Sequence, residues 1–360
     1  MLLPWLRGPT LADAWASGRN NFNLIRLFAA WLVIYGHAWA ITGSAGGDIV
    51  TQLTRFKFAG GIAVDVFFFI SGFLIAASLE RNDVRGYLAS RALRILPALV
   101  ACVLLSVFVL GPLLTTATDY WRDPRTWDYL WANATLWSSR YDLPGVFESL
   151  PRHAVNGSLW TLPIEARLYL ALLVASLLGV LTPRRYTRLW ALALAGAYAF
   201  AGWRHPLPEW LSNQMWCAAF FITGTLCWLQ RARIRVGLWP LLALLAVGAL
   251  ARGTPWFHLP YFALACYGTL WLAFVPRLPR IRQHDLSYGL YLYGWPSAQL
   301  VQQFSPGGPL HNTLWATLLA GALAAASWFL VERPALRLKR RLVARQRHGE
   351  PQAAPKMGPE

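Results

Sequence analysis

The sequence predicts an all-α protein, a multi-pass transmembrane bundle of about ten helices. Three observations carry this. The 360 residues are 56% hydrophobic and only 14% charged, with 20 Trp, which is too apolar for a water-soluble chain of this length. The apolar residues gather into runs long enough to cross a bilayer as helices. The cations gather between the runs and favour one side. With both termini assigned to the cytoplasm, 23 of the 33 Lys and Arg fall on that side and 8 on the other, as the positive-inside rule requires. The net charge of +17 is therefore a set of loop clusters and not a basic groove, which sets nucleic acid aside.

Residues 1–20 read as a cytoplasmic segment without the short apolar core and small-residue cleavage site of a signal peptide. Residues 21–338 form the transmembrane domain, and 339–360 a basic, Pro/Gly-containing cytoplasmic tail expected to be disordered. Within the domain the apolar runs are 22–42, 60–79, 93–115, 159–181, 187–203, 211–230, 237–251, 257–275, 286–304 and 312–332. The fifth and seventh are short and carry Gly.

The first run, Phe22 to Thr42, contains Arg26 and His37. Eleven residues at ~100° each leave them ~20° apart on one helix face and ~16 Å apart along the axis. Ionisable groups inside a span mark functional sites. The second run, entering from outside, carries Asp65 near its start, and the fourth carries Glu165 in SLWTLPIE. Counted along ideal helices, His37, Asp65 and Glu165 fall at about one depth in the outer leaflet, so His37 and Glu165 are expected in direct or one-water contact. Pro163 lacks an N–H and is expected to free the Leu159 carbonyl. Asp65, beside Gly60 and Gly61, also reads as interhelical polar glue.

On the inner side Arg91 and Arg94 stand one turn apart at the start of the third run, the spacing of a phosphate clamp. Arg26, in the first turn of its own helix where the macrodipole is already positive, calls for an anion. The outer segment 116–158 holds Trp121, Trp127, Trp131, Trp137 and Tyr141, either sugar platforms or a helix in the membrane interface. Asn156-Gly157-Ser158 matches a common glycosylation triplet. The four Cys lie in apolar runs without metal-ligand spacing and read as small buried hydrophobes.

These motifs, in this order, resemble the membrane acyltransferase-3 family of bacterial multi-pass O-acyltransferases. Arg26 and His37 match its Arg-x10-His, Val64 to Ile75 its second-span motif, and Arg91 with Arg94 its Arg-x-x-Arg. Ser158 to Glu165 match its Trp-Ser/Thr-Leu-x-x-Glu motif, and Leu286 to Pro296 with Val331 to Pro334 its closing segments. The resemblance implies an inner-membrane enzyme that moves an acyl group, with acetyl as the expected one, from cytoplasmic acyl-CoA to a hydroxyl of an extracytoplasmic saccharide or glycolipid. It implies His37 and Glu165 as catalytic and Arg26, Arg91 and Arg94 as acyl-CoA ligands. Asp65, Ser71, Trp160, Thr161 and Tyr291 lie in the matched motifs as support. Acyl-CoA is a donor substrate and not a bound cofactor; no metal is required, since a thioester is already activated. Many members carry a His where this chain has Gly294. A transporter or flippase would need two repeat halves with matching broken helices, and none is visible.

Overall fold

A computed structural model describes residues 8–202, 208–279, 281 and 284–338. The tail 339–360 lies outside these, so the expectation of disorder there is not addressed. Among the described residues the protein is helical, with one isolated β-bridge between Thr10 and Arg235. Three short helices, α1 (Leu11–Ala16), α3 (Ile49–Thr54) and α7 (Pro124–Ala134), accompany long ones that fall on the predicted runs. These are α2 (Phe22–Thr42), α4 (Ala59–Leu79), α5 (Val84–Leu105), α8 (Thr161–Leu177), α9 (Pro183–Gly202), α10 (Glu209–Leu229), α11 (Leu238–Ala251), α12 (His258–Phe274), α13 (Ser287–Phe304) and α14 (Pro309–Ser327). A π-turn, Ser106–Leu110, extends α5 into the four-residue α6 (Gly111–Leu114), and another, Trp328–Glu332, extends α14. Among the described residues, six helical runs are long and apolar enough to cross a membrane by length and composition alone. The third begins nine residues earlier than its apolar run, because Asp83 accepts from the Gly86 N–H and caps a helix that starts among the loop cations.

At the centre stands α4, packed on α2, α8, α10 and α12. Its crossing with α10 is backbone to backbone. A Cβ on Gly72 would lie 1.9 Å from the Phe221 carbonyl oxygen, and one on Gly224 2.1 Å from that of Phe69. Without strong hydrophobic drive in lipid, such close approach supplies the dispersion contacts that hold spans together. Gly72→Ala forces the two backbones apart and is expected to cost about 3 kcal/mol. Unchanged thermal unfolding of the detergent-solubilised variant would count against this packing.

Two polar residues singled out in the sequence find their partners here. Asp65 is buried and satisfied by Lys57 Nζ at 2.8 Å, Trp216 Nε1 at 3.0 Å and Tyr261 OH at 2.6 Å, so it ties α4 to α10 and α12 as packing glue. Asn156 is also fully buried and donates to the Leu292 carbonyl, which rules its triplet out as an exposed glycosylation acceptor in this fold. Trp121 stacks on Phe108 at 5.7 Å, and both rings are half-exposed on the flank of the bundle. That favours an interfacial belt over a sugar platform.

The return of the outer segment matters most. Residues 152–158 descend into the bundle: Gln299 donates to the Arg152 carbonyl, Trp295 Nε1 to that of Ala154, and Tyr291 OH to that of Ser158. A 3-10 turn, Gly157–Trp160, then leads into α8, so α8 begins inside the bundle. Pro163 consequently sits at the third position of α8, where a missing N–H breaks no helical bond. The Leu159 carbonyl accepts from Ser139 Oγ at 3.3 Å.

Candidate active site

Two chambers share the same four elements, and on each element the residues that line one lie at least a turn from those that line the other. The outer chamber, about 550 Å³, is lined by His37 of α2, Phe58 ahead of α4, Gly157 and Trp295 of α13, with Asp48, Tyr141 and Arg152 from the outer loops. The inner cavity, about 50 Å³, is lined by Arg26 of α2, Ser71 of α4, Glu165 of α8 and Tyr288 and Tyr291 of α13. On the wall of the inner cavity two hydroxyls, those of Thr161 and Tyr291, form a cluster with the Ser158 carbonyl. Thr161 Oγ1 and Tyr291 OH are 2.6 Å apart, Tyr291 OH donates to the Ser158 carbonyl at 2.8 Å, and Phe67 packs edge-on against Tyr291.

His37 is held by its own helix. Its Nδ1 lies 2.7 Å from the Val33 carbonyl oxygen. A carbonyl only accepts, so Nδ1 carries the proton and Nε2 keeps its lone pair. The ring is fixed edge-on between Phe58 and Trp295, with centroids at 5.0 and 4.8 Å. It lies over Gly60, where an added Cβ would stand 3.1 Å from Nδ1. A side chain at Gly294 would meet Ile34 Cγ1 at 2.7 Å, so the missing family histidine is matched by a close approach of α2 and α13.

Glu165 is elsewhere. It accepts from Ser71 Oγ at 2.9 Å and from Tyr169 OH. Ser71 is eleven residues along α4 from Gly60, about 16 Å deeper by helical rise. The expected contact of His37 with Glu165 is therefore not made. Depth counted from the ends of apolar runs assumed that the fourth span starts at the surface, whereas residues 152–158 carry its start inward. Trp160 packs on the core and lines neither chamber.

At the floor of the inner cavity the arginines converge, although on a carboxylate. Asp285 Oδ2 lies 2.5 Å from Arg94 Nη2 and 3.3 Å from Arg26 Nη1, and Glu332 lies 3.5 Å from Arg94 Nη1. Burial alone would push the Asp285 carboxyl up, yet the two guanidiniums hold it well below the usual carboxylate range. Arg94 is thus engaged by two acids and does not form the expected free clamp. Arg91, one turn away, keeps a buried Nε with no partner. Asp285 and Glu332 are contributions that sequence reasoning missed. Their signals were a lone acid among the cations of 277–285 and the acid of the VERP motif.

The family model described as an acyltransferase domain matches residues 19–333. An O-acetyl transferase of Shigella phage Sf6 is 28% identical, over 87% of this chain and 95% of its own length. Nodulation protein 10 of Rhizobium leguminosarum bv. viciae is 32% identical, over 91% of this chain and 96% of its own. No solved structure matches the chain.

Proposed function

Because this chain belongs to the acyltransferase-3 family, and is by that membership a multi-pass membrane O-acyltransferase, we propose that its two chambers divide the reaction across the bilayer. Cytoplasmic acyl-CoA docks at the floor, with Arg91 and Arg26 toward its phosphates, and its acyl-pantetheine arm rises past Glu165 and Tyr291 to the outer chamber. A saccharide or glycolipid hydroxyl enters that chamber from outside. The name of the phage relative supports acetyl as the acyl group. The protein lies in the bacterial inner membrane with both termini inside, on the 23-to-8 charge bias.

The observation that carries this reading is the state of His37. With Nδ1–H given to Val33, Nε2 takes the proton from the acceptor hydroxyl. The acceptor oxygen attacks the thioester carbon, the C–S bond breaks, and the departing thiolate takes the proton back from the imidazolium. Aromatic walls suit a sugar ring. Glu165, held by Ser71 and Tyr169, offers its second oxygen to the amides of the passing arm.

Sealed vesicles of both orientations test the sidedness. Inside-out vesicles are expected to take acyl-CoA and right-side-out ones to refuse it. Arg91→Ala should weaken donor affinity about tenfold, the value of one charge-assisted contact. Equal uptake in the two orientations would sink the proposal.

A further inference from the structure

We infer that Asp48, and not Glu165, is the carboxylate that serves His37: a positioning residue whose negative charge faces the imidazole when it takes up the acceptor's proton. This rests on His37 being the base. Asp48 lines the outer chamber and is 1% exposed. Its carboxylate forms no ion pair within 4 Å among the described residues; all its partners are neutral. Oδ1 accepts from the Thr51 N–H at 2.7 Å and Thr51 Oγ1 at 3.1 Å, and Oδ2 from the Ala59 N–H at 2.7 Å.

Only two glycines separate this carboxylate from the ring. A Cβ on Gly36, the residue before His37, would lie 3.2 Å from Asp48 Oδ2 and 2.4 Å from the Gly60 nitrogen. Gly60 in turn lies against His37 Nδ1. Asp48 thereby pins the start of α4, and with it Phe58, against the imidazole.

Capping the six-residue α3 does not require a charge, since Ser, Thr or Asn does as well. A buried carboxylate without a cation is costly, and here the N-termini of α3 and α4 offset only part of that cost. The charge becomes useful at the moment an imidazolium forms beside it, in a site where low dielectric magnifies the attraction. The other charged residue lining the chamber with the ring is Arg152, whose cation opposes the imidazolium. Tyr141 is the remaining titratable group of the chamber, while Phe58, Trp295 and Gly157 bring no charge.

The test uses the full-length protein in lipid nanodiscs with acetyl-CoA and an acceptor glycan. Asp48→Asn is expected to lower kcat on the order of ten- to a hundredfold, with both KM values within about threefold. It should also move the acid limb of the kcat/KM profile toward lower pH, and Asp48→Glu should restore most of the rate. Arg152→Gln, an exposed change that does not depend on how Asp48→Asn folds, should move the limb the opposite way. Limbs that stay in place in both variants would make Asp48 a purely structural cap and overturn the inference. An active His37→Ala protein would instead overturn the base assignment, whatever Asp48 does.

Discussion

Replacing His37 with alanine is expected to cut acyl transfer by ~100- to 10,000-fold, the usual span of general acid-base catalysis, while the protein stays inserted and binds acyl-CoA. The loss should fall on kcat. The imidazole lines the outer chamber, and the Arg26 floor proposed for the donor's phosphates lies about 16 Å away along the same helix. No interhelical hydrogen bond is removed, because the ring's partner is the Val33 carbonyl of its own turn. Thermal unfolding should therefore change little. If a stably inserted variant transferred acetyl at a near-normal rate, the ring would be packing between Phe58 and Trp295 and nothing more.

Arg94→Ala is expected to act on stability more than on donor affinity. The guanidinium is 17% exposed and answers Asp285 and Glu332 together, and Glu332 is only 2% exposed. Removing one partner of a buried pair typically costs ~3–5 kcal/mol, because the remaining charge is stranded. Here α2, α5, the loop just ahead of α13 and the turn after α14 all meet at the same cluster. A marked fall in the unfolding temperature of the detergent-solubilised variant is the expected result, and adding Glu332→Gln should recover part of it. An unchanged melt with a tenfold loss of acyl-CoA binding would return Arg94 to the phosphate clamp. The contrast with Arg91→Ala, where binding falls and the melt holds, makes the two arginines separable.

The sequence by itself determined that the chain is a helical membrane protein, where its helices run, and that Arg26 and His37 lie on one face of the first. These follow from hydropathy and a fixed rise and turn per residue, which are local quantities. It also determined the family, through motifs whose order survives without any knowledge of distance. Which groups meet was decided by the tertiary structure. Glu165 was expected beside His37 because span ends were taken as depth markers, and that count fails once residues 152–158 fold into the bundle. Asp48 lies in a loop with no periodicity to mark it, and it comes to line one chamber with His37 only because Gly36 and Gly60 let two backbones touch. Arg94 looked like a free clamp from its spacing to Arg91. Its partners Asp285 and Glu332 come from 191 and 238 residues away, and no pattern along one helix contains a contact of that range.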